Sequence, residues 1–206
     1  MINVTSGDAG RRPEMIHPLW LRLAHWLNLL AVLMMVASGW RIYNASPLFD
    51  FSFPADVTLG GWLGGALQWH FAAMWLFGLN GLFYLAMNVF SGRLKRKFWP
   101  LTLRGLLADM YAALRGRLQH VDLRHYNMVQ RLAYLFVMFD GVVLVISGLV
   151  LWKSVQFPLL RELLGGYDTA RYVHFLAMAS LLGFVLLHVV MVAVVPKTLL
   201  AMLRGR

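Results

Sequence analysis

The chain has 206 residues, 60% of them hydrophobic and 14% charged, with 19 basic against 9 acidic side chains and no cysteine. A soluble domain is about 45–50% apolar, so this composition and a mean hydropathy of +0.63 predict an all-α, polytopic membrane protein, read as one domain over residues 1–206. The missing cysteines exclude disulfides, thiolate-held iron–sulfur clusters, c-type haem attachment and cysteine zinc sites, and leave histidine as the strong nitrogen ligand.

Residues 1–18 are polar and lack an apolar stretch of signal-peptide length, so the first span is expected to stay in place as an anchor. That span is predicted over about 19–42; His25 lies near its start and the small-residue stretch ASGW (Ala37–Trp40) near its end. The connection 44–66 is rich in proline, glycine and aromatics. A second span over about 67–90 carries His70 close to its start. The connection 91–125 holds Arg93, Lys95, Arg96, Lys97, Arg104, Arg115, Arg117 and Arg124, and its segment LRGLLADMYAALRGRL reads as an interfacial amphipathic helix. A third span over about 129–152 contains Asp140 and a second small-residue stretch, ISGL (Ile146–Leu149). A short surface helix is expected within 154–169. The fourth span, about 170–195, carries His174 and His188 and stops at Pro196. Together these read as a four-helix membrane bundle with interfacial helices. The echo of ASGW in ISGL reads most simply as close helix packing.

Basic residues set the orientation. Fifteen of the 19 fall on the side that holds both termini and the 91–125 connection; Arg41, Lys153, Arg161 and Arg171 fall on the other. By the positive-inside rule both termini are cytoplasmic, in a bacterial inner membrane. The same distribution explains the net charge of +10 without nucleic acid.

The histidines then fall at two depths. His25 and His188 lie toward the inner surface, and His70 and His174 toward the outer one. Fourteen residues separate His174 from His188, which returns the helix to nearly the same face and places the rings roughly 21 Å apart along its axis. One metal ion cannot bridge that distance; two sites can. A flat haem takes two axial ligands from opposite faces, which two flanking helices supply, and closing both axial positions favours electron transfer over oxygen binding. The plainer use of each ring is an interhelical hydrogen bond or a proton relay, although relays usually recruit carboxylates and only Asp140 lies deep in a span.

With HPLWLRLAHWLNLLAVLMMVASGW in the first span, QWHFAAMW in the second, YNMVQRLAYLFVMFDGVVLVISGLVLW in the third and H-x13-H in the fourth, nearly the whole chain resembles the bacterial cytochrome b561 superfamily. Its likeness is greatest to the di-haem b-type subunits of membrane hydrogenases, formate dehydrogenases and thiosulfate reductases. The resemblance implies two haem b groups, the inner on His25 and His188 and the outer on His70 and His174, the same pairs that depth gives. It implies a quinone site on the inner side, where Asn127 and Gln130 are the matching polar contacts, with Tyr126 and Arg131 nearby. It also implies electron transfer between the quinone pool and a periplasmic oxidoreductase subunit. The opening HPLWLRLAHW and the GGWLGGALQWHF segment are similar to small cytochromes b that accompany periplasmic molybdopterin oxidoreductases.

Several residues keep a plainer alternative. Asn127 can cap the third helix and Arg131 can anchor it. His17 and His125 lie near the same surface, as proton relays or as interfacial residues. Arg41, Lys153 and Arg171 are either partners of outer haem propionates or ordinary interfacial cations. Asp140 is a functional candidate by its depth alone. Two other functions stay open: a free-standing superoxide:quinone oxidoreductase, and a haem-free proton-coupled transporter or assembly factor.

Overall fold

The computed structural model describes residues 16–115 and 126–205, without the side chains of 113 and 114. His125, Arg11, Arg12, Arg117, Arg124 and Arg206 lie outside the described residues. All regular structure among the described residues is helical: α1 (Leu19–Ala45), α2 (Leu63–Phe90), α3 (Arg93–Phe98), α4 (Leu103–Leu114), α5 (Met128–Trp152), α6 (Pro158–Leu163), α7 (Tyr167–Val194) and α8 (Lys197–Arg204), with a 3-10 turn at Ala55–Val57. Four of these, α1, α2, α5 and α7, are long and apolar enough to cross a membrane. At 25 to 28 residues each they reach about 37–42 Å, beyond the ~30 Å hydrocarbon core. The protein is a multi-pass membrane protein with four spans.

The spans pack as two hairpins, α1 along α2 and α5 along α7, whereas the two hairpins touch each other only weakly. Small residues line the tight contacts: Ala24, Ala31, Ala66, Ala73, Ala170 and Ala177 are all buried. Large apolar side chains such as Leu33, Leu82, Phe139 and Leu186 point outward, as they do where lipid is the solvent and offers no gain for burying leucine. Polar ties cross each hairpin near its middle. Asn80 Nδ2 donates to Ala24 O at 2.8 Å and to Asn28 Oδ1 at 2.7 Å, and Ser180 Oγ donates to Asp140 Oδ1 at 2.8 Å.

The long helices agree with the predicted spans within a few residues, and the largest difference has a physical cause. The α2 helix begins at Leu63, four residues early. A Cβ on Gly64 would overlap the Trp62 ring, and one on Gly65 would overlap Gly60 O. These glycines therefore serve a helix start laid against its own entry loop, although glycine pairs in a sequence read as loop. The expected amphipathic helices appear as α4 and α6. The short helices α3 and α8 were not expected, because basic runs without a long apolar period give little helical signal.

The end of the bundle that carries α3 and α4 also gathers both ends of the described chain. Ile16 N donates to Gly205 O at 2.9 Å. Arg22 caps the last turn of α8, donating to Met202 O at 3.0 Å and to Leu203 O. At the opposite end the 46–62 loop folds into an aromatic cap: Asn44 clamps Phe53 through both amide atoms, at 2.8 and 2.9 Å. Trp40 stacks on Phe53 at 4.6 Å and Tyr43 on Phe175 at 5.1 Å.

Candidate functional site

The structure brings the four span histidines together as two pairs. His25 on α1 faces His188 on α7, with ring centroids 6.0 Å apart. His70 on α2 faces His174 on α7, with centroids 6.4 Å apart. Each pair crosses the gap between the hairpins, and α7 contributes one ring to each.

The His70–His174 pair is held from behind. Ser38 Oγ donates to Met34 O at 2.6 Å and lies 3.1 Å from His70 Nδ1. Ser147 Oγ donates to Val143 O at 2.7 Å and lies 2.9 Å from His174 Nδ1. A hydroxyl has one proton. With it directed to the helix carbonyl, the serine oxygen accepts from the imidazole Nδ1–H, and Nε2 keeps its lone pair. The neighbouring glycines set the ring positions: a Cβ on Gly39 would lie 3.4 Å from His70 Cε1, and one on Gly148 would lie 3.3 Å from His174 Cε1. Sequence reasoning missed these orienting serines. Their signal was the SG shared by ASGW and ISGL, which admits the close approach of a helix or of a flat ring and read most simply as helix packing.

The His25–His188 pair has a different environment. His188 stacks on Phe184 at 6.0 Å, His25 meets the edge of Trp26 at 5.2 Å, and His188 is exposed. Asn127 takes the plainer of its two sequence readings, a helix cap, and Gln130 joins it in a reciprocal capping box at the start of α5: Gln130 N donates to Asn127 Oδ1 at 2.8 Å, and Asn127 N to Gln130 Oε1 at 3.1 Å. Both side-chain oxygens are thus engaged, and the amide nitrogens remain as donors. Arg131 donates to Tyr126 O at 3.1 Å and to Pro100 O at 3.0 Å. His17 sits beside α3 with a buried, unpartnered Nδ1; burial first, then Arg93 and Lys97, lower its pKa to about 4. Asp140 Oδ2 is buried without a partner. At the end of the bundle that carries the 46–62 loop, Arg171 donates to Ser46 O at 2.6 Å, and Lys153 lies over the Trp152 ring at 5.1 Å.

A helical membrane bundle with imidazoles facing one another in pairs near each surface has the donor arrangement of a membrane b-type cytochrome. The chain belongs to the prokaryotic cytochrome b561 family, whose sequence profile matches residues 16–205. It is also 65% identical over 190 residues, 92% of this chain and 96% of the relative, to a protein of Azospira oryzae named "Putative protein-methionine-sulfoxide reductase subunit YedZ1".

Family membership implies haem b, and the residues present fit it. Among the described residues no three or more His, Cys, Asp or Glu come together as a metal-ion site. His25 with His188 and His70 with His174, facing each other at 6.0 and 6.4 Å, would supply the imidazole donors to the haem iron.

Proposed function

We propose that this protein is the membrane electron-transfer subunit of a protein-methionine-sulfoxide reductase system, connecting the quinone pool to a partner on the outer side. The reading places one haem b on His25 and His188 and a second on His70 and His174. The observation that carries it is the pair of facing imidazole couples, each joining α7 to the α1–α2 hairpin. Haem b supplies one-electron iron chemistry when bound. The chain's own residues fix ring position and tautomer: Ser38 and Ser147 hold the Nδ1 sides and so present Nε2, the second-sphere role that orients metal-binding histidines. The relative's name supplies the substrate class, and the chemistry then sets the direction. Reducing a sulfoxide to a thioether consumes two electrons and two protons and releases water, so electrons leave quinol for the partner. That partner is an oxidoreductase subunit in the aqueous phase beyond the outer surface, of the molybdopterin class that the sequence resemblance suggests.

Three further parts of the reading rest on sequence and position. Quinol meets the chain near the start of α5, where Asn127 and Gln130 offer amide donors. The termini face the cytoplasm, supported by the basic residues on that side. Residues 1–206 form one domain.

The test is the reduced-minus-oxidised spectrum and pyridine haemochrome content of the purified protein and its histidine variants. The expected result is two b haems per chain, with His25→Ala and His188→Ala depleting one and His70→Ala and His174→Ala the other. Absence of haem bands in cells supplied with haem, or depletion of the same haem by His25→Ala and His70→Ala, would overturn the reading.

A further inference from the structure

A basic cavity of about 390 Å³ opens at the end of the bundle that carries both termini, lined by Trp20, Arg93, Arg96, Lys97, Tyr126 and Arg131, with Pro18 and Ser91 at its edge. Its size falls in the ~300–1,000 Å³ range of ligand pockets. Four lining side chains are cationic and none is acidic. The partners that hold three of them are neutral. Arg93 donates to Tyr126 Oη at 3.2 Å, Arg96 to Ser91 O at 2.6 Å, and Arg131 to Tyr126 O and Pro100 O. Among the described residues no carboxylate pairs with Arg93, Arg96 or Arg131. No described carboxylate neutralises these positioned guanidiniums, and the cavity they line suits an anion.

Its place in the fold selects which anion. The lining residues sit where α1 and α5 begin and where α2 gives way to α3, at the level where spans leave the hydrocarbon. Leu19, between Pro18 and Trp20, is 59% exposed, and Phe90, next to Ser91, is 86% exposed. A ligand held here has cations around its head, at the ends of the apolar spans α1, α2 and α5. Arginine forks match phosphate oxygens in pairs, and basic pockets between spans at the membrane surface take anionic headgroups.

We propose that this cavity binds the phosphate headgroup of an anionic phospholipid, with its acyl chains lying along the apolar spans that end there. The site is lined by none of the four paired histidines and by neither Asn127 nor Gln130, although Tyr126 and Arg131 place it next to the proposed quinol contacts.

The experiment is native mass spectrometry of the haem-loaded protein in detergent, titrated with phosphatidylglycerol or with phosphatidylcholine of the same acyl chains, and with inorganic phosphate as competitor. Phosphatidylglycerol is expected to be retained in preference to phosphatidylcholine and to resist millimolar phosphate. The Arg93→Gln/Arg96→Gln double variant should retain it about tenfold less. Arg93→Lys/Arg96→Lys and Lys95→Gln should retain it at near the parent level, the first because charge is kept and the second because Lys95 does not line the cavity. The haem spectrum should be unchanged in all of them. Equal retention of both lipids would overturn the proposal. Displacement by inorganic phosphate would move the site to a soluble phosphate ligand, and displacement by a quinone would assign the cavity to quinone. Loss of haem in the glutamine variant, with the lysine variant intact, would make the arginines propionate partners instead.

Discussion

Ser147 acts on its histidine through one bond direction. Its proton goes to Val143 O, so its oxygen accepts from His174 Nδ1 at 2.9 Å and fixes the ring tautomer. Ser147→Ala removes the acceptor but neither the ring nor the Gly148 contact. Outer-sphere losses of this kind cost about 10–100-fold in metal affinity, so the outer haem should be retained more weakly while the inner one is untouched. Haemochrome content after stepwise detergent washing checks this, and equal loss of both haems would count against it. His17 gives a pH dependence of definite sign. In the folded protein its pKa is lowered from 6.5 to about 4, first by burial and then by Arg93 and Lys97. Between those values the unfolded chain binds more protons than the folded one, so stability falls as pH drops through the window and is flat above it. Thermal unfolding in detergent should therefore show a larger loss from pH 7 to pH 5 for the parent than for His17→Phe. An equal loss in both would mean that His17 does not carry the effect.

At the scale of the helix, the glycine after each serine decides how close an imidazole comes. A Cβ on Gly148 would lie 3.3 Å from His174 Cε1, tighter than most real contacts, whereas one on Gly141 would meet Phe77 Cζ at an ordinary 3.7 Å. Gly148→Val is expected to displace His174 and deplete the outer haem, with Gly141→Ala at parent haem content; the visible spectrum reads both. The sequence made some of this legible and hid the rest for physical reasons. Apolar runs revealed the spans, because a helix in lipid must be apolar along its whole length. The histidine pairs followed from depth, since a span converts sequence position into height. The Ser–Gly steps stayed hidden because small residues have the same signature whether they pack a helix or seat a ring. The cap at Asn127 was visible as one of two uses, and its oxygen and that of Gln130 now prove engaged. The helices α3 and α8 were illegible because their order comes from contacts distant in sequence, such as the Arg22 cap on α8.

Across the whole molecule, the strong contacts run within each hairpin and the weak ones between them. A bundle of four spans would ordinarily fill its centre with side chains, since interiors pack to high density. Here each hairpin instead turns two imidazoles toward the other, and α7 meets both α1 and α2 through them. A ligand that bridges the pairs binds the closed arrangement and not the separated hairpins, so it must stabilise the fold by mass action. Ligand at a hundred times its Kd contributes about 2.7 kcal/mol per site, which for a chain of this length is a rise of roughly 5–10 °C in Tm. Protein made without haem should therefore unfold at a lower temperature and be cleaved sooner in the 91–125 connection, which joins the hairpins. His25→Ala/His70→Ala, which breaks both couples, should reproduce that behaviour even with haem supplied. If the haem-free protein melts with the parent, the hairpins hold together by their own packing, and the gap between them is not what the cofactors close.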